Sequence, residues 1–357
     1  MQPARLFTDT SQYTKERRPY LADILRPFIN VRTLEQNRVV YGPVVDRYLI
    51  TDSLEQADWA VLPLAWNYYH QSGQLGLAFD FIEQARRAGK PVLTWVTGDF
   101  GARVPAKDVW VFGAAGYRSR AGAHRFGTPV FIRDPLPNLG LTEIQPRHKG
   151  TRPRIGFCGY ARITPLKSAG FVLRTLFRNV AANVHGSGDE PQDLYPPVLL
   201  RQRVLELLRQ SPHMETDFIP RTQYKAGAQT PEQEAQSRRE FFENIRDTDY
   251  TVCVRGGGNF SVRLYETLAM GRIPILVDTD SLLPYADDRR WRECCVYVRQ
   301  DELPHIAEKV LAFHAALSEE AFLETQRQAR RFWEERLSFN GFFTHFPEQF
   351  APAFQTY

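Results

Sequence analysis

A strand-to-helix turn within residues 249–278 collects the residue types that bind phosphate groups. The segment reads DYTVCVRGGGNFSVRLYETLAMGRIPILVD: a β-branched run, three consecutive glycines, an amphipathic helical pattern and a second apolar strand. Glycines let a backbone approach a ligand closely, and the free N–H groups at a helix N-terminus favour an anion. The loop matches neither the Walker A pattern nor GxGxxG, so its glycines alone are a weak signal.

Two arginines and a glutamate give this turn a more specific chemistry. Arg255 opens the glycine loop, and Arg263 and Glu266 share one face of the helix that follows. Asn259 or Ser261 is the predicted N-cap of this helix. We expect the arginines to neutralise phosphates and Glu266 to accept hydrogen bonds from ribose hydroxyls, which describes a nucleoside diphosphate site. The competing interpretation is an exposed Arg263–Glu266 ion pair, worth only about 0.2–0.5 kcal/mol.

Strand and helix patterns alternate along both halves of the chain. Apolar runs at 57–64, 91–98, 108–115 and 129–134 predict strands, and helical spacing over 76–90 predicts a helix. In the second half, the strand RIGFCGY is followed by the helices LKSAGFVLRTLFRNVAA, PPVLLRQRVLELLRQ and RREFFENIRDT. This alternation predicts βαβ units and mostly parallel sheets. The predicted fold class is α/β, with two Rossmann-like domains and a cleft between them.

A polar, basic segment divides the two halves. The stretch LTEIQPRHKGTRPR, at 141–154, contains two prolines and a glycine and is typical of a linker. We therefore predict an N-terminal domain over 1–145 and a C-terminal domain over 150–335. The phenylalanine-rich tail at 336–357 is predicted to pack back across the domain interface.

Composition restricts the class of protein. The 357 residues carry a net charge of +4 with 43% hydrophobic content, as in a globular protein, so no nucleic acid partner is expected. No apolar run reaches the roughly 18 residues of a membrane span, and the first residues lack the apolar centre of a secretory signal. We expect a cytoplasmic protein, with peripheral association at the inner membrane face left open. Buried free thiols are predicted for all four cysteines: Cys158, Cys253, Cys294 and Cys295.

The glycine segment resembles the signature region of the exostosin family of glycosyltransferases. That region has an Arg-Gly pair, a Ser before an Arg-Leu-Tyr-Glu run, a Gly-x-Ile-Pro strand, then Leu-Pro and Trp. The matching residues here are Arg255-Gly256, Ser261, Arg263-Leu264-Tyr265-Glu266, Gly271-Arg272-Ile273-Pro274, Leu283-Pro284 and Trp291. Weaker likeness in ADWAVLPLAW, VTGDFG and RIGFCGY extends the resemblance to roughly residues 57–300. A third glycine and Asn259 depart from the family pattern.

The resemblance implies a GT-B type fold, with the sugar donor in the C-terminal domain and the acceptor on the N-terminal one. It implies an inverting hexosyl- or glycuronosyltransferase that moves a sugar from a nucleotide-sugar, expected to be a UDP-sugar, to a glycan or polysaccharide. Neither a cofactor nor a metal is expected, and the DTD sequence at 278–280 is interpreted as the start of a loop. The predicted donor-binding residues are Arg255, Gly256, Gly257, Gly258, Asn259, Ser261, Arg263, Glu266 and Arg162.

Direct displacement requires a base that removes the proton of the acceptor hydroxyl. Asp99 follows a predicted strand in VTGDFG, where a carboxylate can face the cleft, and it is the first candidate. His70 has a suitable intrinsic pKa and is the second candidate. Asp134 is the third. Each of these residues can also be interpreted as an ordinary turn residue or helix cap.

Two other functions fit parts of the sequence. A non-catalytic module that binds nucleotide-sugars requires only the C-terminal site and predicts UDP binding without turnover. A Rossmann oxidoreductase is disfavoured, because neither half has GxGxxG after its first strand and the acidic residue lies on the helix itself. Stabilisation by NAD(P)H would favour the oxidoreductase.

Overall fold

The computed structural model describes residues 2–30, 32–184 and 188–354, which form two parallel β-sheets flanked by helices. In the first sheet the strand order is β2-β1-β3-β4-β5-β6 and every pair is parallel. Its strands are β1 (Ala4–Phe7), β2 (Tyr48–Thr51), β3 (Trp59–Val61), β4 (Val92–Val96), β5 (Val109–Gly113) and β6 (Arg125–Gly127). The helices connecting these strands are α1 (Leu34–Tyr41), α2 (Trp66–Gln71) and α3 (Leu75–Arg87).

The second sheet is also entirely parallel, with the order β8-β7-β9-β10-β11. Its strands are β7 (Arg154–Tyr160), β8 (Glu215–Arg221), β9 (Tyr250–Cys253), β10 (Ile273–Asp278) and β11 (Val296–Arg299). The helices of this half are α4 (Pro165–Val184), α5 (Pro197–Arg209), α6 (Pro231–Arg246), α7 (Val262–Ala269), α8 (Arg290–Glu293), α9 (Ile306–Ala316), α10 (Glu319–Phe332) and α11 (Phe339–Phe354).

The predicted α/β fold with two Rossmann-like sheets is confirmed. In both sheets the strand order reverses beside the first strand, between β1 and β3 and between β7 and β9, as in doubly wound folds. Residues 141–153 contain no helix or strand, in keeping with a linker. The exact domain limits stay predictions.

One predicted strand is wrong. Residues 129–134 form no strand, and the outermost strand of the first sheet is β6, just before them. Pro129 has no N–H to donate to a ladder, and the apolar residues that follow are held by other cores. Val130 and Ile132 pack against a cluster of the C-terminal half, whereas Phe131 packs against the α11 side of the N-terminal half.

Periodicity in the sequence did not predict several elements or their bounds. β8 lies at a sheet edge and has no fully buried residue, so its sequence lacks a continuous apolar run. α6 begins at Pro231, earlier than the predicted helix, because Thr230 and Gln233 form a reciprocal capping box. β1 and β2 have only four residues each, which is too short for a clear pattern.

The C-terminal helix α11 packs on the N-terminal sheet. Phe343 and Phe346 are fully buried against Trp95, and Tyr48 donates a hydrogen bond of 2.6 Å to the Phe343 carbonyl. Burying each phenylalanine contributes about 1.5–3 kcal/mol. The preceding helix α10 packs on the second sheet, so the chain crosses back to the first sheet between α10 and α11. Residues 355–357 of the predicted tail lie outside the described residues.

The cysteine prediction is confirmed, since all four thiols are free and buried. In the part of the chain that the structure describes, no helix combines the length and the apolar character needed to cross a bilayer.

We predict opposite effects of alanine at two helical glycines. A Cβ at Gly341, at the start of α11, would overlap the backbone carbonyl of Glu334. Gly341→Ala should therefore lower the free energy of unfolding by about 1–3 kcal/mol, as overpacking does. Gly76 lies in α3 with nothing within 4 Å of its added Cβ, so Gly76→Ala should stabilise by up to about 1 kcal/mol. Denaturant unfolding of both variants checks this, and equal effects would contradict it.

Candidate functional site

A cavity of about 520 Å³ opens at the carboxyl ends of β7 and β9. The end of β7 contributes Cys158 and Tyr160 to its lining, and the loop after β9 contributes Gly256 and Gly257. These are the two strands between which the order of the second sheet reverses. Open α/β sheets bind their ligands at this position, because the loops leaving the two strands diverge and leave a crevice.

Besides the carboxyl groups of Asp99, Glu234 and Glu266, four arginines line this cavity and bring positive charge to it. They come from four different elements, which the sequence does not bring together: Arg201 from α5, Arg221 from β8, Arg238 from α6 and Arg263 from α7. The first turn of α7 lies at the same cavity, so its free N–H groups and helix dipole add to the positive potential.

Arg201 is a half-buried cation whose hydrogen-bonding capacity the protein satisfies only in part. It donates hydrogen bonds to the backbone carbonyls of Tyr160 (2.9 Å) and Arg255 (2.8 Å), whereas its Nε has no partner. Among the described residues no carboxylate forms an ion pair with it. Burial first, and then the neighbouring charges of Arg263 and Arg255, lower the pKa of Arg201 to about 9. A bound anion would offset this cost.

Arg263 is held in the cavity wall by its own interactions. It donates to the Cys158 carbonyl at 2.7 Å, and its guanidinium carbon lies 4.2 Å from the centre of the Phe157 ring. Its Nε also lacks a partner, and burial lowers the pKa of Arg263. The guanidinium is therefore fixed in position before any ligand binds.

Glu266 lies about one turn further along α7 and is almost completely buried, with 8% of its surface exposed. Burial raises the pKa of Glu266, while the charges of Arg263 and Arg238 act in the opposite direction. This carboxyl group lines the cavity. Glu266 is buried and Arg263 is half-buried, so the two side chains do not form an ion pair on the exposed surface.

The other two arginines differ in how they are paired. Arg221 donates to Ser237 Oγ at 2.7 Å and forms an ion pair with Glu240, so much of its charge is already compensated. Arg238 is exposed, and its guanidinium carbon lies 4.9 Å from the centre of the Phe242 ring. Arg238 is free to move toward a ligand, whereas Arg221 is fixed.

The N-terminal half reaches this cavity through Asp99. This residue follows β4, lines the cavity and is exposed. A Cβ at Gly258 would overlap the Asp99 carbonyl oxygen, and one at Gly257 would lie 3.2 Å from Asp99 Oδ2. The close approach that requires glycine at 258 is therefore a contact with the other half of the protein. The cleft between the two halves thus has Asp99 on one side and the glycine loop on the other.

Two residues predicted to bind the donor point away from the cavity. Arg255 is buried and donates to the Tyr195 carbonyl at 2.7 Å and to Asp193 at 3.4 Å. Asn259 donates to the carbonyls of Gly116 and Thr279 and so ties the glycine loop to the N-terminal half. Both residues lie outside the described lining of the 520 Å³ cavity, where they support the loop from behind.

Ser261 is the N-cap of α7 and lines the cavity, but its side chain makes no capping hydrogen bond. Its hydroxyl group therefore has no N–H of the helix as partner. Gly256 also lines the cavity, and its N–H donates to the Phe260 carbonyl at 2.8 Å, which closes the loop.

The remaining candidates are placed elsewhere. Arg162 is exposed, beyond β7 and outside the described cavity lining. His70 ends α2, and its ring packs at Gly188, whose added Cβ would lie 2.9 Å from it. Asp134 accepts two hydrogen bonds from Arg330, at 3.0 and 2.6 Å, and is thus engaged in an ion pair.

The two aspartates of the DTD sequence bind the N-terminal half. Asp278 accepts from Arg118 at 3.1 Å, and Asp280 accepts from the backbone N–H of Ser119 at 3.1 Å. These contacts place the end of β10 against the loop after β5, and they give both carboxylates protein partners.

Sequence reasoning missed three of the four cavity arginines. A signal existed for Arg201, because buried residues of α5 lie four positions before and after it, at Pro197 and Leu205. An arginine within such an apolar stripe is unusual unless it binds something. Arg221 gave no signal, because the strand that carries it was not predicted.

Proteins of similar sequence include probable glycosyltransferases of plants. Probable glucuronosyltransferase GUT1 of Oryza sativa subsp. japonica is 28% identical over 93 residues, which cover 24% of this chain and 22% of that protein. Probable glucuronosyltransferase 47 A of Physcomitrium patens is 31% identical over 87 residues, 24% of this chain and 18% of the other. The chain shares a segment with plant glycosyltransferases. The resemblance to glycosyltransferases predicted from the motif is confirmed over that segment.

Probable beta-1,4-xylosyltransferase IRX10 of Arabidopsis thaliana is 30% identical over 66 residues, 18% of this chain and 16% of that protein. The matched region thus spans about a fifth or less of the relatives' length. No family model matches the chain.

Solved structures with overall similarity include glycosyltransferases. Anabaena Alr3699/HepE, in complex with UDP and glucose, has a TM-score of 0.36 and 10% identity over 99% of this chain and 100% of its own. The Thermobaculum terrenum O-GlcNAc transferase has a TM-score of 0.39 and 14% identity over 99% of this chain and 68% of its own. Similarity at this level supports no statement about the chemistry of this chain.

We predict that Arg201 contributes to anion binding. Arg201→Met should lower the affinity for inorganic pyrophosphate by about 10- to 100-fold, because a hydrogen bond from a charged donor contributes about 1.5–3 kcal/mol. Arg154→Met is the matched control, since Arg154 opens β7 at the opposite end of the sheet and pairs with Asp217. Isothermal titration calorimetry measures both variants. Unchanged pyrophosphate affinity in folded Arg201→Met would contradict the assignment.

Proposed function

We propose that this protein is a glycosyltransferase that moves a sugar from a nucleotide-sugar, expected to be a UDP-sugar, to a glycan or polysaccharide acceptor with inversion. The observation that carries the proposal is the cavity at the β7–β9 switch point. There the partly unpaired guanidinium groups of Arg201 and Arg263 lie beside the buried carboxyl group of Glu266. The matched plant relatives, named glucuronosyl- and xylosyltransferases, support the same reaction class.

The arrangement of the cavity suits the two chemically different ends of a nucleoside diphosphate. The diphosphate would lie at the N-terminus of α7, between the unpaired guanidinium groups of Arg201 and Arg263. Glu266, about one turn deeper, would accept hydrogen bonds from the ribose hydroxyls. Burial of a carboxyl group is costly without such partners, and sugar hydroxyls supply them.

The same cations would assist departure of the leaving group. When the bond between the anomeric carbon and the diphosphate oxygen breaks, its electron pair passes to the diphosphate. Arg201 and Arg263 are already in place to neutralise that charge, so no reorganisation is needed at the moment of reaction. The proposal includes catalysis without a metal ion.

Asp99 is the proposed general base. It approaches the cavity from the N-terminal half, across the cleft from Arg263. An acceptor hydroxyl would transfer its proton to this carboxylate while its oxygen bonds to the anomeric carbon. Attack from that side and departure toward the arginines are in opposite directions, which gives inversion of configuration.

Binding of the nucleotide is tested at Glu266. Glu266→Gln should lower the affinity for UDP by about tenfold or more, because a neutral amide accepts hydrogen bonds from the ribose more weakly than a carboxylate does. The same variant should bind inorganic pyrophosphate at least as tightly as the unmodified protein, because removing the carboxylate leaves Arg263 with more uncompensated charge. Calorimetry with both ligands gives the comparison. If UDP affinity is unchanged, or if both ligands weaken equally, Glu266 does not contact the ribose.

Catalysis is tested at Asp99. Asp99→Asn retains the shape of the side chain, so UDP affinity should change little while transfer falls by about 10²–10⁴-fold. The assay uses a panel of nucleotide-sugars in the presence of EDTA and follows release of the nucleoside diphosphate. His70→Ala is the comparison variant, and it should leave turnover close to normal, because its ring packs at Gly188 and outside the described cavity lining. Asp99→Asn with more than about a tenth of normal turnover would show that the base lies elsewhere.

A further inference from the structure

Helix α4 exposes its apolar side to solvent. Five large apolar residues on this helix have between 46% and 84% of their surface exposed: Leu166, Leu173, Leu176, Phe177 and Val180. With the exposed Ala169 and Gly170 they form a continuous apolar stripe, here called the outer face of α4. Ordinary surface helices place such a stripe against the core, so an exposed stripe marks an interaction surface.

The opposite side of α4 already has its partners. Thr175 and Ala182 are buried, and Asn179 exchanges hydrogen bonds of 2.8 Å with the backbone of Gln192. The guanidinium carbon of Arg178 lies 4.0 Å from the centre of the Phe100 ring. The helix is therefore held in one orientation, and the outer face remains uncovered because the packed face is the other one.

The charges of this helix have one sign. α4 contains Lys167, Arg174 and Arg178 and no acidic residue. Lys167 and Arg174 lie two helical turns apart and are exposed along one border of the outer face, and the exposed Arg162 lies just before the helix. An apolar stripe bordered by basic side chains is complementary to a surface that is apolar inside and anionic at its boundary.

We propose that the outer face of α4 binds the surface of an anionic lipid bilayer. Leucine, phenylalanine and valine side chains would enter the boundary between headgroups and acyl chains, with the helix axis in the plane of the membrane. Lys167, Arg174 and Arg162 would contact lipid phosphates, and their long stems allow the charges to remain at headgroup level.

Charge also argues against a second copy of this chain as the occupant. The apolar positions 166, 170, 173, 177 and 180 have the alternating four- and three-residue spacing that also suits helix pairing. A second copy would, however, double the number of basic side chains at the contact, and α4 offers no carboxylate to neutralise them. An anionic bilayer satisfies the apolar and the basic residues at once.

Docking in this way would position the cleft. Phe100, which Arg178 covers, follows Asp99 directly, and Asp99 lines the cavity. A membrane-bound α4 would therefore hold the Asp99 loop one helix diameter, about 10 Å, from the lipid surface, within reach of an acceptor attached to the membrane. Lipid binding itself does not depend on the proposed enzymatic activity.

The experiment is co-sedimentation with vesicles. The protein should bind equimolar phosphatidylglycerol/phosphatidylcholine vesicles at least about tenfold better than pure phosphatidylcholine, and added salt should weaken the binding. Leu173→Gln/Phe177→Gln should lose about tenfold or more of this binding. Lys167→Gln/Arg174→Gln should lose the preference for the anionic lipid. Thermal unfolding checks that each variant is folded. Its unfolding temperature should be unchanged, because all four substituted side chains are exposed.

A matched control is Val39→Gln/Val40→Gln, which removes two exposed apolar residues from α1, with 87% and 47% of their surface exposed. This variant should bind vesicles like the unmodified protein. The proposal is overturned if the unmodified protein does not bind the anionic vesicles, or if Leu173→Gln/Phe177→Gln binds them equally well. It is also overturned if light scattering shows a dimer that the same substitutions dissociate, because the outer face would then be a self-interface.

Discussion

The candidate site depends on two half-buried arginines whose covered Nε atoms have no hydrogen-bond partner. Arg201 and Arg263 donate to backbone carbonyls, yet each keeps an Nε without a partner, and burial lowers the pKa of both. Removing a cation from water is costly unless an opposite charge compensates it. Glu266 supplies part of that compensation within the protein, and a bound diphosphate would supply the rest. In the proposed function, binding energy and catalysis would therefore come from the same two side chains.

The N-terminal half completes this site by backbone contact. The loop that carries Asp99 lies against Gly258, and only a residue without a Cβ allows the two backbones to approach so closely. Asn259 and Arg255 then fasten the glycine loop from behind, through Gly116 on one side and Tyr195 on the other. The shape of the loop is thus set by both halves of the molecule. A shift of one half against the other would move the carboxylate and the phosphate-binding end together.

Burial decides which elements of the fold could be predicted from the sequence. Strands covered on both sides, such as β4, β5, β9 and β10, are continuous apolar runs and were predicted correctly. The edge strand β8 has no such run and was missed. Residues 129–134 are apolar because their side chains pack into hydrophobic clusters of both halves, and periodicity cannot distinguish such a segment from a strand. The contact of α11 with the first sheet joins residues some 250 apart, as in the pair Trp95–Phe346. Local patterns carry no information about such a pairing.

The sequence by itself determined the class of fold, because strands and helices have periods of two and 3.6 residues. The helical period also placed Arg263 and Glu266 on one helix face, and the glycines before a helix start marked the candidate anion-binding turn. Only the tertiary structure decided which charges meet in the cavity. Arg201 and Arg221 come from α5 and β8, whereas Arg255, adjacent to the glycines in sequence, turns away toward Asp193. The physical reason is that a side chain at a strand end can point to either side of its loop, and packing of distant elements selects the side.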